Sequence, residues 1–151
     1  MLERRHYRVT GTVQGVGFRP FVYRIATELG LAGEVSNDSL GVTVDVEGPA
    51  DVLDTFAKRL QTEAPPLARI ESVDVAAAAP TGVSGFRIVD SRAEGAPAVA
   101  VPVDVATCDD CLRELSDPAD RRYGYPFINC TNCGPRYTII QSIPYDRAST
   151  T

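Results

Sequence analysis

All four cysteines of this 151-residue chain lie in one short window, between Cys108 and Cys133. Disulfides or a metal site confined to that window cannot stabilise the roughly one hundred residues that precede it. The N-terminal part therefore has to fold around its own apolar core, and the chain is predicted to contain two modules. We place a first domain at residues 1–91, a linker rich in small residues, Gly and Pro at 92–103, and a second module at 104–151.

Strand and helix patterns alternate along the first domain. The segments with strand character are residues 6–13, 33–37, 42–46, 70–75 and 86–89. One helix is predicted to begin near Pro20 and to end near Gly30, and Pro49 is predicted to open a second helix. The apolar residues that recur at helical spacing are Phe21, Val22, Ile25, Ala26 and Leu29 in the first helix, and Val52, Leu53, Phe56 and Leu60 in the second.

The order of these elements is strand–helix–strand–strand–helix–strand, with a further short strand at the end. Two helices on one face of an antiparallel sheet satisfy that order, which predicts an α+β, ferredoxin-like βαββαβ sandwich. In the first strand, the alternation places Tyr7, Val9 and Val13 on one side, which we expect to face the helices. About ninety residues can bury a modest core that is sufficient for one domain.

The cysteines form two CxxC pairs separated by eighteen residues. Each pair can wrap a tight turn around a cation, and two such turns complete a tetrahedral shell of thiolates. We therefore predict a structural zinc ion, which would help to fold a segment with little apolar content. The predicted ligands are Cys108, Cys111, Cys130 and Cys133. Two disulfides are disfavoured in a cytosolic protein, and a redox dithiol lacks the thioredoxin-like strand–helix context.

The segment from Cys130 to Arg136 also has the Cys-x5-Arg spacing of phosphatases that use a thiolate nucleophile. That chemistry needs a free thiolate at the start of a phosphate-binding loop. Because Cys130 belongs to a metal-binding pair and Pro135 removes a backbone donor, we disfavour this function.

A loop containing two glycines, residues 14–19 (QGVGFR), connects the first strand to the first helix. Converging backbone N–H groups and a helix N-terminus can cradle an anion, and Arg19 adds a permanent charge that can bind phosphate oxygens. A simple glycine turn beside a solvated arginine fits the spacing equally well. A dinucleotide-binding loop is disfavoured because Pro20 stands where a third glycine is required.

Charge and hydropathy exclude further classes of function. The 15 Lys and Arg residues against 20 Asp and Glu residues give a formal net charge of −5, which disfavours nucleic-acid binding. RNA binding on the sheet is also disfavoured because the strands lack paired stacking aromatics. No stretch approaches ~18 consecutive apolar residues, so no membrane-spanning helix is expected. The N-terminus lacks the apolar region of a signal peptide, which predicts a cytoplasmic protein without a membrane partner.

Two motifs of the first domain carry a resemblance to a known family. Residues 12–19 (TVQGVGFR) resemble the signature of the acylphosphatases, and residues 33–38 (GEVSND) followed by Gly41-Val42 resemble their second motif. The resemblance implies that Arg19 holds an acyl phosphate and that Asn37 orients the attacking water. It implies a phosphate-binding set of Gln14, Gly15, Val16, Gly17, Phe18 and Arg19. Without the resemblance, Asn37 would be interpreted as a turn residue. In the second motif, Glu34 stands at a position where the family usually has Trp.

The motifs of the second module indicate a more specific family. Together with Cys108–Cys111 and the residues 117–123, the segment YPFINCTNCGPRYTI at 125–139 is similar to the N-terminal part of the HypF family of hydrogenase maturation carbamoyltransferases. That resemblance covers essentially the whole chain. It implies that the first domain cleaves carbamoyl phosphate to carbamate and that the second module is the first of two zinc fingers. It also implies that later domains act with ATP and the partner protein HypE.

Two hypotheses follow from these patterns. The first is an acylphosphatase-type hydrolase domain in a fragment of such a carbamoyltransferase, cut before its second finger and unable to perform the full transfer. The second is a noncatalytic phosphate-binding and zinc-finger scaffold module. Phosphate release from carbamoyl phosphate or another acyl phosphate discriminates between them.

Overall fold

The computed structural model describes residues 1–91, 108–125 and 128. Within these ranges the chain forms five strands and three helices. The strands are β1 (Leu2–Thr12), β2 (Ala32–Asn37), β3 (Val42–Pro49), β4 (Arg69–Ala78) and β5 (Phe86–Ile88). The helices are α1 (Phe18–Glu28), α2 (Ala50–Thr62) and α3 (Asp109–Ser116). The predicted ferredoxin-like order is confirmed, with β5 as the additional short strand.

The five strands form one sheet in the order β4-β1-β3-β2-β5. All neighbouring strands are antiparallel except β2 and β5, which are parallel. One face of the sheet and the two helices α1 and α2 enclose the core, as the alternation in the sequence predicts. The rings of Tyr7 on β1 and Phe56 on α2 meet edge to face in this core, with centroids 5.5 Å apart. Val9 and Val13, predicted to share the face of Tyr7, are buried as well.

The other face of the sheet is polar. Its central residues include Arg8 on β1, Asp45 on β3 and Glu34 on β2, and among the described residues this face carries no Phe, Tyr or Trp. His6 lies here too, with Nδ1 3.2 Å from Oδ2 of Asp45. A ferredoxin-like sheet that binds RNA stacks two or three bases on aromatic rings, and the described part of this face has no pair of such rings.

The helix boundaries refine the sequence prediction. Helix α1 begins at Phe18, two residues before the predicted Pro20, and Gly17 is its N-cap. Proline is tolerated there because the N–H groups of the first turn have no intrahelical acceptor. The predicted end near Gly30 is confirmed: Gly30 N–H donates to Thr27 O at 3.0 Å and Leu31 N–H to Ala26 O at 2.9 Å, a Schellman motif.

The second module is described only in part. Helix α3 begins immediately after Cys108, and Cys111 lies in its first turn, fully buried beside Ile128 and Leu115. Cys130, Cys133 and the predicted linker lie outside the described residues, so the domain boundaries stay predictions. In the described ranges, no helix is long and apolar enough to cross a membrane.

Candidate functional site

The loop between β1 and α1 is anchored by side chains that alternate with glycines. The side chains of Val16 and Phe18 are buried in the core, whereas Gly15 and Gly17 are half-buried. Gly15 has φ +72° and Gly17 has φ +80°, a left-handed conformation that disfavours residues with a Cβ atom. The loop therefore follows a path that needs both glycines and leaves its backbone without side chains at two positions.

Arg19 is the second residue of α1 and is half-buried. Its guanidinium Nη1 donates a hydrogen bond of 3.4 Å to Oγ of Ser91, the last residue of the first described range. At that length the bond is weak, and it places the guanidinium beside Ser91 at the end of the glycine loop. Ser91 is a contact that local sequence patterns did not indicate.

Asn37 is the last residue of β2 and pairs with Val42 of β3. Its side chain is only 2% exposed, and the amide oxygen Oδ1 accepts no hydrogen bond from any described residue. A buried amide oxygen without a partner costs free energy. Such a group in a folded protein calls for an explanation, of which a bound water or ligand is one.

The turn after Asn37 is held by Asp38. Its Oδ1 accepts hydrogen bonds from the backbone N–H groups of Leu40 at 2.7 Å and Gly41 at 2.9 Å. Its own N–H donates to Gly41 O at 2.9 Å. These bonds close the turn between β2 and β3, and Arg8 Nη2 lies 4.0 Å from the other carboxylate oxygen of Asp38. The turn is therefore a rigid support on which Asn37 ends β2.

Gln14 connects this turn to the glycine loop. Its Nε2 donates to the backbone oxygens of Asp38 at 2.6 Å and Gly41 at 2.9 Å. The side chain is only 1% exposed. The predicted phosphate-binding residue Gln14 thus lies at the start of the loop, and its side chain contacts the turn that follows Asn37. Helix α1, which carries Arg19, packs against β2, which ends at Asn37.

A second polar anchor was not predicted from the sequence. Glu47 on β3 is buried, and its carboxylate accepts hydrogen bonds from Thr81 N–H at 2.7 Å and Gly82 N–H at 2.8 Å. These bonds, led by that of Thr81, hold the pKa of Glu47 below its usual value, against the opposing effect of burial. A cavity of about 630 Å³ lies between this loop and the ends of β2 and β3, with Arg4 and Arg87 in its wall. It does not include the residues predicted to bind phosphate.

The two described cysteines fit half of a metal site. Cys108 is the N-cap of α3 and Cys111 follows three residues later, so both thiols belong to the first turn of one helix. They pack in one apolar cluster with Ile128 and Leu115. The described ranges hold only these two of the four predicted ligands and contain no complete metal-binding cluster.

Comparison with known proteins identifies both parts of the chain. Residues 5–88 match the family model for acylphosphatase, and residues 107–140 match that for the HypF finger. The acylphosphatase of Alkalilimnicola ehrlichii is 44% identical over 90 residues, which are 59% of this chain and 100% of that protein.

Longer proteins match almost the whole chain. The carbamoyltransferase HypF of Rhizobium leguminosarum bv. viciae is 52% identical over 149 residues, which are 99% of this chain and 19% of that protein. A crystal structure of full-length HypF in a phosphate- and nucleotide-bound form is 47% identical, with a TM-score of 0.87 over 99% of this chain and 20% of that chain. The chain thus spans about a fifth of the length of these HypF relatives.

Proposed function

Because the chain belongs to the acylphosphatase family, we propose that it binds carbamoyl phosphate or another acyl phosphate at the glycine loop and hydrolyses it. The backbone N–H groups of residues 14–18 and the guanidinium of Arg19 bind the phosphoryl group. Glycine loops at helix N-termini suit this role, since their N–H groups and the helix dipole favour an anion.

The observation that carries this proposal is the buried amide of Asn37, whose Oδ1 has no partner among the described residues. Asn37 ends β2 immediately before the turn that Gln14 joins to the glycine loop. A water molecule bound there would donate to Oδ1 and satisfy the amide. Asn37 is neutral, so it orients this water and does not take its proton.

The proposed reaction is in-line attack of that water on phosphorus. The new P–O bond forms as the bond between phosphorus and the acyl oxygen breaks, and carbamate or another carboxylate leaves with the bonding electrons. The water's proton passes to solvent or to a phosphate oxygen. A carboxylate is a good leaving group, so positioning and stabilisation of charge on the phosphoryl oxygens by Arg19 supply most of the catalysis.

For the second module we propose a structural zinc site formed by Cys108, Cys111, Cys130 and Cys133. The placement of Cys108 and Cys111 in one helical turn, in one cluster, suits tetrahedral thiolate ligation. When bound, the zinc ion supplies a covalent-like cross-link and no chemistry for the phosphoryl group. The HypF-finger match over residues 107–140 supports this assignment.

In a protein of the length of the HypF relatives, we propose that carbamate made here is consumed in an ATP-dependent step and passed to HypE. Carbamate is short-lived in water, so a reaction that activates it has to follow directly. The chain alone would then release carbamate and phosphate without completing the transfer.

The test is phosphate release from carbamoyl phosphate and acetyl phosphate. We expect turnover by the chain and a fall in kcat/KM of about 100-fold or more for Arg19→Ala, the size seen when one charge-stabilising donor is removed. Arg87→Ala is the control, because Arg87 pairs with Glu34 on the outward face of the sheet. Equal rates for the chain and Arg19→Ala would refute the assignment. Phosphate binding without turnover would instead support the noncatalytic scaffold.

A further inference from the structure

The side chain of Gln14 has no donor left for a phosphate. A primary amide carries two N–H hydrogens, and the two carbonyl oxygens of Asp38 and Gly41, at 2.6 and 2.9 Å from Nε2, account for both. The remaining polar atom, Oε1, is an acceptor and would repel an anion. The side chain of Gln14 is therefore poorly suited to bind the phosphoryl group directly, although its backbone N–H belongs to the loop.

We infer that Gln14 is a positioning residue, which fixes the distance between the phosphate-binding loop and the water-orienting amide of Asn37. This inference rests on the proposed function and deepens it. Gln14 is separated from its two acceptors by 24 and 27 residues, so its hydrogen bonds join the start of the glycine loop directly to the turn after Asn37. Its complete burial protects both bonds from competing water.

Each of the two segments also has its own support, beside the pairing of β1 with β3. The glycine loop is fixed by the buried side chains of Val16 and Phe18, which belong to the core under α1. Asn37 is fixed by the β2–β3 pairing and by the Asp38 turn. Gln14 joins one to the other next to the reacting groups. In-line attack tolerates little error, since a displacement of about 1 Å can cost about 100-fold in rate.

The experiment compares kcat and KM for acetyl phosphate in two variants. Gln14→Met keeps the length of the side chain and removes the donors, whereas Gln14→Asn keeps the donors but shortens their reach by one methylene. Because Gln14→Asn keeps a polar amide at this buried position, it is the variant to measure if Gln14→Met fails to fold. We expect kcat to fall about 10- to 100-fold in each folded variant, with KM changed by less than about 3-fold.

The matched control is Thr43→Val. It removes the 2.9 Å hydrogen bond between Thr43 of β3 and the buried Ser36 of β2, which lies beside the same turn but does not involve the glycine loop. We expect it to lower the melting temperature and to leave kcat within about 2-fold of the unmodified chain. A merely structural role for Gln14 would produce the same pattern as this control.

Two outcomes overturn the inference. An unchanged kcat in a folded Gln14 variant would show that Gln14 does not position the reacting groups. If KM rises while kcat is unchanged, Gln14 binds the substrate directly. If the unmodified chain hydrolyses no acyl phosphate, the proposed function fails, and amide hydrogen exchange decides the link by itself. Faster exchange at both residues 15–18 and residues 38–41 in Gln14→Asn, absent in Thr43→Val, supports the link; unchanged exchange refutes it.

Discussion

The guanidinium of Arg19 lies 3.4 Å from the hydroxyl of Ser91, although 72 residues separate them in the chain. Arg19 is the second residue of α1, and Ser91 lies shortly after β5. The segment after β5 therefore lies against the start of α1, beside the glycine loop. A serine hydroxyl at this distance is a weak contact that helps to position the guanidinium, and a bound phosphoryl oxygen would add a stronger, charge-assisted bond.

Replacing Ser91 with Ala should consequently have a small effect. We expect KM for acetyl phosphate to rise about 2- to 5-fold, equivalent to one weak hydrogen bond, with kcat nearly unchanged. Ser84→Ala, in an exposed loop, is the control. Steady-state kinetics measure both, and a fall in kcat of more than 10-fold would mean that Ser91 acts during the reaction.

Glu47 should make stability depend on pH. Hydrogen bonds from Thr81 and Gly82 lower its pKa in the folded state, so its contribution is present above the pKa of the unfolded chain. That contribution is lost as the pH falls through the lower, folded-state pKa. We expect Glu47→Gln to reduce the melting temperature at pH 7 and the difference from the unmodified chain to shrink towards pH 3. A difference that does not vary with pH would contradict this.

Gly41 should tolerate no side chain. Its φ is +155°, and a Cβ atom would lie 2.1 Å from the carbonyl oxygen of Val9. Gly30, with φ +67° and no atom within 4 Å of its Cβ position, is the matched control. We expect Gly30→Ala to cost about 1–2 kcal/mol through its backbone conformation and Gly41→Ala clearly more, because of the added clash. Urea unfolding measures the free energy of unfolding of both variants. Equal losses would show that the backbone near Val9 shifts to accommodate the added Cβ atom.

The second module should contain one zinc ion per chain. Elemental analysis is expected to find it in the unmodified chain and to find it reduced in Cys108→Ser and in Cys130→Ser, because four thiolates complete the proposed shell. Chelation should lower stability, since metal binding contributes to folding. Ser116→Ala, at the end of α3, controls for changes in the helix. Full zinc content in both cysteine variants would rule out the four-cysteine site.

The parts of the fold that local patterns encode were predictable. Alternation placed Tyr7, Val9 and Val13 in the core, and Gly30 marked the end of α1. The start of α1 was displaced by two residues, because proline is acceptable throughout the first turn and so does not fix the first residue. Both kinds of signal involve residues close together in the chain.

The parts that depend on distant partners were not predictable. In the sequence, the alternation of β3 predicts that Glu47 is an ordinary outward-facing residue. It is buried and hydrogen-bonded only because Thr81 and Gly82, more than thirty residues later, lie against it. Gln14 likewise reads as one more residue of a phosphate loop, because its acceptors are two backbone carbonyls that no side-chain pattern marks. The roles of Arg19 and Asn37 came from resemblance to a family and stay predictions.

The most direct measurement of the central claim is a titration of the isotope-labelled chain with inorganic phosphate, followed by NMR. We predict saturable shifts of the backbone amides of residues 15–19 and of the side-chain amide of Asn37, and their loss in Arg19→Ala. Shifts confined to the cavity beside Arg4 and Arg87, or no saturable shift at all, would contradict an acyl-phosphate site at the glycine loop.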